Sequence, residues 1–402
     1  MTADHAERRG VVGAQSRRRH RSTRARLAYL LVALVMVVLS VIGVSYVRAL
    51  VAPGYATFAD KTSAWLRDHG AGSVVDQIET WYYTRHAPSQ TPADTGQFAV
   101  GVPVSGAAVV LPTLPTPAGA LHPPQWQIGS VTATGAPAVY TSRFEPDPTH
   151  PSVVTGVAVL ASSALTMHLV LGTSEPRSPL NTSAAKVPPT DVASLAAVFN
   201  SGFRLSDITG GIYANGLTYR PLVNGQATAA IDDHGHLTVG SWGRDVTLTR
   251  HIVAARQNLE LIVDHARPLP RNGSSAVGWG GTHLQYQYTW RSGLGIDRHN
   301  NIVYVAGNYL NLTTLAVALA DAGAVRGMEL DMHSGMSIFT TWTTTGSRRT
   351  PTKLLPTMRS SAGRYLAPDR RDFFYATTGP HPALPSAGTA TQSSSPPGHT
   401  NK

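Results

Sequence analysis

Residues Leu27–Val47 (LAYLLVALVMVVLSVIGVSYV) form an uncharged run of 21 residues. As a helix rising about 1.5 Å per residue it would be about 30 Å long, the thickness of a bilayer core. It is apolar all round, which argues against the one-sided core helix of a soluble domain. The run therefore divides the chain into a short N-terminal tail, a membrane helix and everything after it. Arg8, Arg9, Arg17, Arg18, Arg19, Arg21, Arg24 and Arg26 precede it, against only Asp4 and Glu7. This excess of positive charge predicts a cytoplasmic tail and an extracytoplasmic remainder, with membrane lipid contacted through Leu27–Val47. A cleaved signal peptide is the rival reading. Its apolar stretch is usually about 7–15 residues and ends at a small-x-small site. Ser45-Tyr46-Val47 is a poor site of that kind.

The formal charge is +10, of which the tail contributes +6 (eight Arg minus two acids). The remainder carries only +4, so the basic balance implies no nucleic-acid partner for the folded part. Cysteine is absent, which excludes disulfides, a thiolate nucleophile and cysteine-based metal sites.

After the membrane run, residues 56–84 read as one or two helices broken near Gly70 and Gly72. With the flanking residues they make a juxtamembrane stalk, 48–85, packed on the domain or on the lipid surface. Residues 86–124 are rich in Pro, Gly, Ala and Thr and read as a linker. Residues 379–402 are of low complexity and read as a disordered tail. Between them, 125–378 is punctuated like a β-rich domain. Ala138–Phe144, Val153–Leu160, Thr166–Gly172, Val192–Phe199, Leu259–Asp264 and Val325–Asp331 are short apolar runs bounded by turn residues. Thr228–Ile231 and Leu237–Gly240 flank Asp232–His236 as a hairpin, and Leu294–Asp297 pairs with Ile302–Ala306. Leu312, Leu315, Ala316, Leu319 and Ala320 have helical spacing, with Asn311 or Thr313 as cap and Gly323 as stop. The expected class is α+β: one sheet-centred domain with many short strands and few helices.

The chemistry concentrates in RGMELDMHSG (Arg326–Gly335). On a strand, Met328, Leu330 and Met332 share one face, and Gly327, Glu329 and Asp331 the other. Two carboxylates would then lie about 7 Å apart on one face at the end of a buried strand. Buried carboxylates are paired, hydrogen-bonded or used in chemistry. Arg291, on the earlier WRSGLGID segment, is a candidate partner, either as a structural clamp or as part of a site.

The succession VFNSGFR (Val198–Arg204), a Gly-rich turn, DDHGH, RSGLGID and ELD before a Gly-containing loop resembles the phosphodiester glycosidase domain family. This is the domain of N-acetylglucosamine-1-phosphodiester α-N-acetylglucosaminidase and of many bacterial secreted proteins. The resemblance covers about residues 190–345. The family pattern N-G-G-F-F, R-x-A-I-G, L-D-G-G-G-S is matched by Asn200, Arg291 and Asp331. VGSWGRDV, ARQNLELIVD, GAVRGMELD and RDFFY (Arg371–Tyr375) are similar to a membrane-anchored, actinobacterial branch. The family's glycines after its Asp are replaced by Met332-His333-Ser334-Gly335. Glycines present amide groups closely to an anion, as Met and His do not.

The resemblance implies a hydrolase of a glycosyl phosphodiester or related cell-envelope glycan. Asp331, Glu329, Arg291 and Asn200 are the catalytic candidates, and Arg204, Asp264, His333 and Ser334 the substrate-binding ones. Paired carboxylates suit the acid and the base or nucleophile of glycoside cleavage, and arginines suit a phosphate. No cofactor is expected, and a structural divalent metal is left open. His234 and His236 stand two apart on a hairpin, and no His-Glu-x-x-His run exists, so a zinc site is disfavoured. The absence of Gly-x-Ser-x-Gly and of a phosphate-binding Gly-x-x-x-x-Gly-Lys loop removes serine hydrolases and P-loop nucleotidases. The alternative is an inactive anchored module binding envelope polysaccharide through Trp242, Trp279, Tyr286, Tyr288 and Trp290, although core packing also suits these rings.

Overall fold

The structure is a computed structural model that describes residues 4–51, 58–98, 104, 107, 109–270, 277–280, 287–345 and 348–379. Tyr286 and residues 380–402 of the C-terminal tail lie outside them. The chain divides into two compact units, 1–53 with 58–72, and 54–57 with 73–402.

In the first unit α1 runs unbroken over Asp4–Val51. Its segment Ala28–Val51, with mean hydropathy 2.8 and no buried residue, is long and apolar enough to cross a membrane. Helix α2 (Phe58–Asp68) folds back on its end. The Trp65 indole donates to Ser45 Oγ at 3.1 Å, Tyr46 and Thr62 hydroxyls meet at 2.9 Å, and Lys61 Nζ reaches Leu50 O at 2.8 Å.

The second unit holds α3 (Gly72–Arg85) and, after it, many strands with one further α-helix among the described residues. Part of 86–124 is docked rather than loose. Ala93 N donates to Pro151 O, Ser152 Oγ to Ser89 O and the Trp126 indole to Pro112 O, and Leu114 is buried. Proline-rich chain with a few apolar side chains can pack along a core without forming an element, which is why its composition looks like a spacer.

Three antiparallel sheets follow. The largest has the order β1-β2-β3-β14-β13-β15-β11-β12. Its members are β1 (Gln127–Val131), β2 (Pro137–Phe144), β3 (Thr155–Leu160), β11 (Leu261–Asp264), β12 (Arg267–Pro268), β13 (Thr289–Ile296), β14 (Ile302–Leu310) and β15 (Arg326–Glu329). The second is β7-β6-β10-β8-β9, formed by β6 (Ile212–Ala214), β7 (Leu217–Arg220), β8 (Ala227–Asp232), β9 (Leu237–Ser241) and β10 (Ile252–Gln257). The third is β17-β16-β5-β18-β4, formed by β4 (Leu165–Val170), β5 (Leu195–Asn200), β16 (Phe339–Thr345), β17 (Arg348–Lys353) and β18 (Phe373–Thr378). The β8–β9 hairpin turns at Gly235 with φ +76°.

The large sheet is covered on both faces. Ala158, Leu160, Tyr304, Leu294 and Met328 enter the main core with β5, β8 and β18 residues. Val157, Val159, Val303 and Val305 enter a second core under α4 (Leu312–Asp321). Strand alternation thus serves two apolar interiors, and β13 is buried at every position. Helix α4 starts on a capping box between Asn311 and Thr314 and stops at Gly323, φ +89°. The glycines of RSGLGI and RGME admit it. A Cβ on Gly295 would stand 2.6 Å from Arg326 O and 2.9 Å from Ala324 Cβ. Strand β15 ends at Glu329, two residues short of the expected Val325–Asp331 strand.

Because a backbone carbonyl and a fixed methyl occupy that space, Gly295→Ala is expected to destabilise the domain by about 1–3 kcal/mol. Thermal unfolding of the full chain in detergent checks this, and an unchanged midpoint would contradict the packing described.

Candidate active site

Three strands of the third sheet end together. Phe373, which opens β18, is registered with Asn200 at the end of β5 and with Val170 at the end of β4. From this edge spring Ser201–Leu205, Arg371-Asp372 and the Gly172–Glu175 turn. That turn lies hard against the loop before β18: Thr173 N donates to Asp369 O and Ser174 N to Arg370 O. A Cβ on Gly172 would sit 2.3 Å from Arg370 O.

Asp331 arrives at the same edge from the end of β15. Its amide donates to Ser201 O at 2.9 Å. Its Oδ1 accepts from the Met332 amide at 3.0 Å, and its Oδ2 is 2.8 Å from Arg371 Nη2. The same Arg371 Nη2 donates to Gly202 O at 2.9 Å. On the far side of the 201–205 loop, the Leu205 amide donates to Glu175 Oε2 at 3.2 Å. Two carboxylates therefore flank one short loop; Arg371 binds Asp331 and is near enough to Glu175 to favour its charged form. Residue 6 % exposed, Asp331 is held above the ordinary carboxylate range, burial outweighing the pull of Arg371 and His333. Glu175 is likewise pushed up by burial, against the pull of Arg371 and the Leu205 amide.

Polar atoms around the pair are left over. Arg371 Nε, Ser201 Oγ and Asp372 Oδ1 are buried without a hydrogen-bond partner. Such orphans ask for an ordered water or a ligand's polar group. The surroundings are rigid. Buried Arg256 binds Asp372 Oδ2 at 2.7 Å and also donates to Phe203 O. Arg364 pairs with Asp369 and, with Ser360 Oγ, holds Gly335 O. This pins the far end of the loop after Asp331.

The sequence candidates separate. Asn200 is at the site, but every polar atom is used: Oδ1 accepts from Tyr304 OH and the Ile338 amide, and Nδ2 donates to Ser201 O and Ser292 Oγ. It positions the strand end that carries Ser201. Glu329 and Asp331 do not share a partner. Glu329 pairs across the sheet with Gly293, whose absent side chain faces Leu319 of α4. Its carboxylate is bound by Arg291 on that buried face. Arg291, 2 % exposed, also donates to Leu310 O at 3.1 Å and Gln287 O at 3.3 Å. Strand β15 ends at Glu329, and the two acids bind different arginines, Glu329 with Arg291 and Asp331 with Arg371, while Asp331 still lies near enough to help raise Glu329, whose shift is mainly due to burial. His333 and Ser334 lie half-buried on that loop, and His333 holds φ +78°, a left-handed conformation that favours glycine. Arg204 is bidentate on Asp207 (2.9 and 3.3 Å). Asp264 is registered with Arg326, at the opposite end of β15, and binds Arg244 at 2.9 Å. It is therefore not assembled with Asp331. Asp232, Asp233 and His234 carry possible metal-ligand atoms within 4.8 Å of one another on the β8–β9 turn. Arg371 was visible in the RDFFY motif but not as a site residue. Nothing local marked Glu175, which reaches the site only through sheet register.

No family model matches the chain, and no curated protein matches it. Among solved structures it is distantly similar to the auto-inhibited catalytic domain of zebrafish N-acetylglucosamine-1-phosphodiester α-N-acetylglucosaminidase. That match has 12 % identity and TM-score 0.40, over 63 % of this chain and 88 % of that one. A hypothetical protein from Synechocystis matches at 12 % identity and TM-score 0.34, over 60 % and 62 %.

The two acids should differ in their effect on stability. Removing Arg291 (Arg291→Met) leaves Glu329 buried and uncompensated, an expected loss of about 3–5 kcal/mol. Asp331 binds its proton more tightly folded than unfolded. Its contribution is therefore fully present below its unfolded pKa and is lost as pH rises through the raised folded one. Asp331→Asn, an isostere of the neutral acid, should melt higher than wild type above that range and show a shallower pH slope. Thermal melts across pH check both; equal slopes would contradict the assignment.

Proposed function

We propose that this protein is a hydrolase that cleaves a glycosyl phosphodiester, or a related cell-envelope glycan linkage, at the Asp331–Arg371–Glu175 cluster. The observation that carries the reading is a buried carboxylate kept prone to protonation while in contact with an arginine, with a second carboxylate across the same loop. Motif order at Asn200, Arg291 and Asp331, which resembles the phosphodiester glycosidase family, supports it.

The chemistry follows from the residues. Water adds to the anomeric carbon, the bond from that carbon to the phosphate oxygen breaks, and a free sugar and a phosphomonoester leave. Deeply buried Asp331 holds the proton given to the departing oxygen. Glu175, also raised by burial but less deeply buried than Asp331, takes the proton from water. Arg371 and the Ser201 hydroxyl offer donors to the phosphate. Arg291 and Glu329 act as a strut behind the strand, and Asn200 as a fixed post. The polysaccharide-binding alternative finds little in the aromatics: Trp242 and Trp290 are 9 % and 5 % exposed, and Trp279 and Tyr288 half-buried.

Purified full-length protein should release sugar from a sugar-1-phosphodiester. Asp331→Asn and Glu175→Gln should each lower kcat by about 10²–10⁴. Activity should fall as pH rises through the raised Asp331 range, because the acid is then spent. Product analysis by chromatography decides, and turnover unaffected by Asp331→Asn rules this site out.

We further propose that the arginine-rich tail is cytoplasmic and residues 51–402 extracytoplasmic, which would put the site before envelope substrates. Protease added to intact spheroplasts should remove the domain and leave a small membrane stub. Protection of the domain would reverse the orientation.

A further inference from the structure

Helix α3 is arranged the wrong way round for a helix bathed in water. Val74, Ile78, Trp81 and Tyr82 are 54 %, 58 %, 55 % and 48 % exposed. They stand at i, i+4, i+7 and i+8, which is one helical face. Val75 is buried, and the helix's acids, Asp76 and Glu79, are half-buried on the adjoining face. Among its residues with described side chains, the exposed formal charge is Arg85, whose guanidinium lies 4.9 Å over the Trp81 ring. A water-facing helix would show its acids and hide its tryptophan.

We propose that this face of α3 lies on a membrane surface, such as that of a bilayer which α1 is long and apolar enough to cross. Val74, Ile78 and Trp81 would enter the boundary between headgroups and acyl chains, where tryptophan and tyrosine rings are favoured. Tyr82 and Arg85 would stay at headgroup level, Arg85 by reaching along the Trp81 ring toward anionic phosphate. Half-buried on the adjoining face, Asp76 and Glu79 are turned aside from an anionic surface that would repel them. Continuity of the chain names the partner. Only residues 52–71 separate α3 from the apolar helix, a tether of at most about 70 Å even if fully extended. A lipid surface is thus always within reach, at high effective concentration. The proposal is independent of the catalytic reading.

The chain has no cysteine, so single labels are unambiguous. Val74→Cys, Ile78→Cys and, as a water-facing reference, Leu121→Cys (91 % exposed) would each carry one nitroxide in the full-length protein. The protein is placed in nanodiscs of phosphatidylcholine with phosphatidylglycerol. Collision with dissolved oxygen and with a water-soluble nickel chelate is read by paramagnetic resonance. Labels at 74 and 78 are expected to gain oxygen access and lose nickel access several-fold relative to 121. Nickel access equal to that at 121 would place the face in water and overturn the proposal. Shielding from both reagents with spin–spin broadening would show a second copy covering the face, and would overturn it equally.

Discussion

A sheet covered on both faces has no wet side on which to keep a charge. The eight-stranded sheet meets this condition, with the main core on one face and α4 on the other. A polar side chain on its central strands must either bring its own partner or wait until the strand ends. Glu329 takes the first course and is neutralised by Arg291 inside the apolar layer. Asp331 takes the second, two residues beyond the last ladder position, where another sheet's edge supplies Arg371. One physical condition thus yields a buried strut and an acid at a sheet edge from neighbouring residues of one short segment.

Local signals in the sequence told much of the fold. The β8–β9 hairpin, the α4 cap at Asn311 and stop at Gly323, and the alternation of β3 and β14 depend on residues close in sequence, and they stand where turn chemistry and periodicity put them. The site was legible only in part. Asp331 and Asn200 were found because their segments carry recognisable patterns. The separate arginine partners of the two carboxylates are not legible, because parity assumes that the strand continues, and nothing local to Met328–Met332 announces its end at Glu329. Arg371 and Glu175 were missed for a different reason. They come together through the registers of β18 with β4 and β5, contacts between residues roughly 170 to 210 positions apart. Similarly, the 109–117 stretch has the composition of a spacer, yet Leu114 and the Pro112 carbonyl are part of a core.

Arginine deserves a structural reading here beyond composition. Arg256, Arg291 and Arg364 are all buried, and each joins a carboxylate to one or more backbone carbonyls. A planar guanidinium with five donors can satisfy several acceptors at once, whereas an ammonium cannot match that geometry. Arg371, at the edge of the candidate site, keeps its Nε without a hydrogen-bond partner. His333 adds a further tension, since a non-glycine residue in a left-handed conformation persists only where its surroundings hold it. The carbonyl of Trp290 and the pinned Gly335 supply that hold.

The position of β18 has a consequence for the life of the chain. Among the described strands it is the final one in sequence, yet it lies in the interior of its sheet, between β5 and β4. Arg371 and Asp372 immediately precede it. A chain emerging N-terminus first can assemble much of the large sheet while the third sheet still has a gap where β18 will go. Until that strand inserts, Asp331 lacks its Arg371 partner. The candidate cluster is therefore completed only when the final described strand takes its place between two others, after nearly all of the described chain has been made.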